Sequence, residues 1–122
     1  MLIYGVINSL LAQPRNLLGG HVLSALIGVT AQKLVGGEMW LASALAVALS
    51  SVVMQITKTL HPPGGATALI VTVGSEQLKA LGCWYVLLPA LVGVLLLLAV
   101  ALVSNNITAT HSYPTNKYWY TV

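Results

Sequence analysis

The chain contains no aspartate and no phenylalanine, and its only acids are Glu38 and Glu76. Charged residues make up 6% of its 122 positions, against about 25% in a soluble domain. That scarcity excludes an ordinary water-soluble fold. A single cysteine, Cys83, excludes an internal disulfide and a cysteine-rich metal site, and says nothing about redox compartment. Two carboxylates give no plausible pair for acid–base work. His21, His61 and His111 lack the spacing of metal ligands, and no serine, histidine and acid assemble into a nucleophilic set. No enzyme and no cofactor is expected. The cations Arg15, Lys33, Lys58, Lys79 and Lys117 are scattered rather than clustered, which argues against nucleic acid and for lipid headgroups as their partners. Their near-even division between the two sides sets no orientation.

What is present is apolar sequence. Hydrophobic residues reach 57% and the mean hydropathy is +0.89, the profile of an integral membrane protein. The expected fold is all-α, a single domain of about three transmembrane helices plus one re-entrant half-helix. The spans are expected at residues 17–36, 39–57 and 83–104, and the half-helix at 63–73. For the first span Asn16 is a plausible N-cap, with Pro14 just outside and Gly36-Gly37 at its end. The second is rich in Ala and Ser, which in lipid marks close helix–helix contact. The segment 63–73 is about half of the roughly 20 residues that a crossing needs. The tail, residues 111–122, carries Tyr113, Tyr118, Trp119 and Tyr120, an aromatic pattern expected along a membrane surface. Met1 to Ile7 is apolar, too short to span and unlike a signal peptide, so it reads as the end of a longer element whose beginning is missing. A faint internal repeat relates Ser24–Val29 to Pro89–Val94, an architecture found in transporters. Asn106-Ile107-Thr108 fits the glycosylation pattern but lies so near a span that it is expected to stay unmodified.

The chemistry concentrates in His61-Pro62-Pro63-Gly64-Gly65-Ala66-Thr67. Loose backbone is tolerated at membrane depth only where protein or a polar cavity surrounds it. A residue before proline is pushed to extended geometry, so His61 and Pro62 are expected outside the helix and Pro63 at its first position. The N–H groups of Gly64, Gly65 and Ala66 would then lack helical partners and form an anion site at the positive end of the dipole. Lys58 and His61 could add charge, and Thr59 and Thr67 hydroxyls. The plainer reading is a tight buried turn whose amides meet water or a carbonyl. Arg15 has the fork that suits a planar oxyanion, although an arginine there serves equally as a headgroup anchor. His21, inside a span, is either functional or satisfied by a neighbouring helix.

These residues carry a resemblance. Ala12-Gln13-Pro14-Arg15-Asn16, Gly19-Gly20-His21 with Ser24-Ala25, and Met54-Gln55 through His61-Pro62-Pro63-Gly64-Gly65-Ala66-Thr67-Ala68-Leu69 resemble the HPP family of integral membrane proteins. Asn105-Asn106 followed by Tyr113-Pro114 and Tyr118-Trp119 is similar to the end of that domain. The resemblance implies a multi-helical transporter or channel for a small anion such as nitrite, in a chloroplast or bacterial inner membrane. It also implies further segments before this chain's first residue. The expected site is Gly64, Gly65, Ala66 and Thr67 with His61, Lys58, Arg15 and His21. The expected partners are membrane lipids, a small inorganic anion, and a second copy or a larger assembly, since three spans seldom enclose a pore. The alternative from another class is a non-catalytic structural subunit of a larger membrane complex, binding lipids or pigments.

Overall fold

The computed structural model describes residues 2–107 and 111–115, and among these its regular structure is all helical, with no strand. A short helix α1 (Leu2–Gly5) and a single turn at Leu10–Ala12 lead into α2 (Pro14–Val35), which is followed by α3 (Met39–Ile56) and α4 (Pro63–Val73). A five-residue helix α5 (Glu76–Ala80) precedes a last apolar run, Val86–Asn106. Three of these helices are long and apolar enough to cross a membrane: Pro14–Val35, Met39–Ile56 and Val86–Asn106. The expected three spans and shorter helix are all present.

The boundaries differ in instructive ways. Helix α2 begins at Pro14 rather than Leu17, because proline fits the first turn, where its missing N–H costs nothing. Its N-cap is Gln13, and Asn16 is not a cap: its Nδ2 donates to the carbonyl of Leu60, 2.9 Å away in the turn after α3. The last run is not a continuous span from Cys83. Leu88 is extended (φ −131°, ψ 112°), as expected before Pro89, so the chain breaks there before winding on as α6 (Val92–Asn106). Residues 76–80 form α5, started by the Ser75 side chain accepting from Leu78 N–H. Of the aromatic tail, residues 116–122 lie outside the described residues. So does Thr108 of the glycosylation pattern.

Small residues set the packing. On α3 the buried positions are Ala42, Ala46, Ser50 and Met54, one stripe at four-residue spacing. On α2 Gly20, Ser24 and Gly28 form a second stripe. A Cβ on Gly64 would lie 2.8 Å from the Gly20 carbonyl oxygen and 2.9 Å from Ser24 Oγ. One on Gly28 would lie 2.7 Å from the carbonyl oxygen of Ala68. Backbones approach this closely only where side chains are absent, and in lipid such contact supplies the association energy. Residue pairing also gives the directions. Gly20 lies by His61 and Gly28 by Val71, so α4 runs parallel to α2, while Ser43 Oγ meets Thr72 Oγ1 at 2.9 Å, so α3 runs opposite.

The last helix closes over the start of the chain. Tyr4 donates to the Leu97 carbonyl (3.1 Å), Asn105 Nδ2 to Ile3 (2.8 Å), and the buried Tyr113 hydroxyl to Ala12 (2.7 Å). The segment Met1–Ile7 is therefore seated, over its described residues, against α6.

Candidate functional site

The turn after α3 folds back between helices. Gly64 packs beside Gly20 and Ser24, which lie six and ten residues past Pro14. At about 1.5 Å per residue, that sets the start of α4 roughly 9–15 Å along α2, a helix roughly 33 Å long. Its 11 residues then cover roughly 16 Å, about half of a bilayer core. Helix α4 thus begins partway down the bundle, the geometry of a half-helix.

Two histidines meet at that point. The rings of His21 and His61 have centroids 5.1 Å apart and are tilted by 51°. His61 is buried at 2% exposure, and its Nδ1 lies 2.7 Å from the carbonyl oxygen of Leu11. A carbonyl only accepts, so Nδ1 carries the hydrogen. His21 Nδ1 lies 2.6 Å from Thr67 Oγ1 on the first turns of α4. His21 is the eighth residue of α2, about two turns in. Tyr85, buried ahead of the Leu88 break, donates its hydroxyl to the Thr67 carbonyl at 2.8 Å. That bond ties α4 to the segment leading into α6.

Two hollows flank His21. One, of about 130 Å³, is walled by Leu17, His21, His61, Pro63 and Leu97 with the start of α1. The other, a cleft of about 350 Å³, is lined by His21, Thr67, Tyr85, Pro89 and Leu97 among others. His21 and Leu97 border both. The walls are otherwise nearly all apolar, so the imidazoles, the Thr67 hydroxyl and Tyr85 are the groups a polar guest would meet.

The amides do not behave as expected. Gly64 N–H donates to the His61 carbonyl at 2.8 Å and Gly65 N–H to the Pro62 carbonyl at 3.1 Å. The reason is Pro62, which is helical (φ −49°, ψ −39°) rather than extended, so the turn reaches back and supplies acceptors. The glycines serve approach instead. Gly64 lets α4 lie on α2, whereas a Cβ on Gly65 would meet only Val47 Cγ1, at 3.8 Å. Ala66 is exposed. Arg15 and Lys58 are exposed as well, near the start of α2 and in the turn, and neither borders the hollows. Of the expected site residues, the structure brings together His21, His61, Thr67 and Gly64.

Four contributors were not foreseen: the Leu11 carbonyl, Tyr85, Leu97 and Met54, whose sulfur accepts from Ser24 Oγ at 3.7 Å. Only Pro89, which breaks the last run just after Tyr85, left a mark in the sequence. No group of three or more metal-ligating side chains occurs among the described residues.

Comparison with known proteins agrees with this architecture. The profile of the HPP transmembrane region matches residues 1–114. A transmembrane protein of Dictyostelium discoideum is 47% identical over 123 aligned positions, covering 98% of this chain and 42% of the relative. A second transmembrane protein of the same organism is 42% identical, covering 98% of the chain and 39% of the relative. The chain therefore spans about two fifths of the length of the curated relatives it matches. No solved structure matches. With three apolar helices of spanning length, these matches establish an integral membrane protein.

Proposed function

The chain belongs to the HPP family of transmembrane domains, and from that premise we propose that it forms the anion-handling part of a membrane transporter, with nitrite as the substrate the resemblance favours. The observation that carries the reading is the pair His21 and His61 at the start of a half-helix, bordering otherwise apolar hollows. Ionisable side chains within a span are costly and are retained mainly where they serve a pathway. Here they come with a hydroxyl and a broken helix, as in transporter sites. A hollow of about 130 Å³ has room for a triatomic oxyanion with little water. The role first drawn for the Gly64 and Gly65 amides passes to the imidazoles and Thr67.

Movement would be passive or ion-coupled. The cleft is lined on α4 by Thr67 and the exposed Ile70, and a second copy or further segments of a longer chain would complete the path. The test is nitrite uptake into liposomes holding the purified chain, with His21→Ala and Thr67→Val as variants. Uptake above empty liposomes that falls at least tenfold in both variants supports the proposal. Uptake unchanged by both contradicts it. A chain that purifies only within a larger complex and carries no flux is the structural subunit instead.

A further inference from the structure

His61 has one hydrogen to give, and it is already given. Its Nδ1–H points to the Leu11 carbonyl at 2.7 Å, so the neutral ring presents a bare lone pair at Nε2. A lone pair repels an anion. His61 can hold an oxyanion only after Nε2 has taken up a proton.

Among the described residues, no fixed negative charge is at hand to stabilise the resulting imidazolium. The chain's side-chain carboxylates are Glu38 and Glu76, and both belong to the far end: Glu38 is the cap of α3 and Glu76 opens α5. The elements around the pair bring other groups. Helix α1 brings Tyr4, whose hydroxyl donates to Leu97, and α2 brings His21 and the exposed Arg15. The turn itself brings Lys58, exposed and of the same sign as an imidazolium. The segment before α6 brings Tyr85, donating to Thr67, and the tail brings Tyr113, donating to Ala12, with His111 exposed beyond. Helix α3 presents Met54, and neither α4 nor the run from Val92 to Asn106 contains an ionisable side chain. A cation enclosed by apolar walls is expensive without a partner, and so is an anion. Each therefore requires the other.

We propose that the anion enters this site together with a proton, as an imidazolium–anion pair formed at His61, and that the two move as an electrically neutral unit. This deepens the transport reading and rests on it. The balance is simple: one proton from water bonds to Nε2, one monovalent anion takes the place of the missing counter-charge, and both leave together. Linkage then fixes the pH dependence: where His61 is unprotonated in the empty site, apparent affinity falls about tenfold for each unit rise in pH.

The test is calorimetric titration of sodium nitrite into the detergent-solubilised full chain at about pH 8, above the ordinary histidine range near 6.5. It is run in two buffers of different ionisation enthalpy, so that proton uptake is counted directly. The expected result is about one proton taken up per nitrite bound. His61→Gln keeps a donor but cannot titrate, so nitrite binding should weaken by about tenfold or more, and what binding remains should take up no proton. Binding by the unaltered chain with no proton uptake overturns this inference while leaving an anion site in place. Uptake retained by the glutamine variant overturns the assignment to His61. Absence of nitrite binding at millimolar concentration removes the anion reading and this inference with it.

Discussion

Replacing Gly28 by alanine places a methyl group against backbone. Its Cβ would lie 2.7 Å from the Ala68 carbonyl oxygen, 2.7 Å from Val71 Cγ1 and 2.8 Å from Ala68 Cα. The shortest approach is about 0.7 Å inside the 3.4 Å at which ordinary contact begins (3.4 − 2.7). Two of the three atoms are main chain and cannot rotate away, so α4 must move off α2. Gly65 is the natural control, since its added Cβ would meet only Val47 Cγ1, at 3.8 Å. Each variant gains up to about 1 kcal/mol from the helical preference of alanine over glycine, less at Gly65 in the first turn of α4 than at Gly28 in the interior of α2. The overpacking at Gly28 costs about 1–3 kcal/mol. Gly28→Ala should therefore unfold up to about 150-fold more readily than Gly65→Ala. Denaturation in mixed micelles, followed by the fluorescence of Trp40 and Trp84, measures it. Equal stabilities, or Gly65→Ala as the weaker variant, would refute the claim that Gly28 serves the close approach of α4 to α2.

Two further outcomes follow from the packing. Cys83 is exposed beside Lys33, and His111 is exposed beyond the opposite end of the last helix, so an impermeant maleimide should reach Cys83 and, in a Cys83→Ser/His111→Cys variant, position 111 from opposite sides of an oriented vesicle. Burial and the nearby Tyr4 push the Tyr113 phenol from the ordinary 10.0 up to about 12. Its docking on the Ala12 carbonyl should thus contribute fully below pH 10.0 and be lost as pH rises towards about 12. Tyr113→Phe should abolish that alkaline step in an unfolding titration, and a step that persists would assign it elsewhere.

Much of this fold was legible because a lipid environment leaves few choices. Long apolar runs must be helical, and Pro63 with Gly74 marked α4 to the residue. The site was legible only in part. His21, His61 and Thr67 stood out as polar residues in apolar runs, yet nothing in their spacing showed that His21 would meet Thr67 forty-six positions on. That meeting depends on α4 lying parallel to α2, a consequence of where the bare backbones fit. The amide site failed on one dihedral: a helical Pro62 gives Gly64 and Gly65 acceptors that an extended one would withhold. The Leu11 carbonyl was invisible, since every residue has one and only tertiary folding chooses which meets a histidine.

The most direct test of the central claim is nitrogen resonance spectroscopy of the chain, labelled with ¹⁵N at its histidines, in lipid nanodiscs with and without nitrite. The account predicts that nitrite shifts the imidazole resonances of His21 and His61 and leaves the exposed His111 unmoved. Unchanged resonances for the pair, or equal shifts at all three histidines, would contradict it.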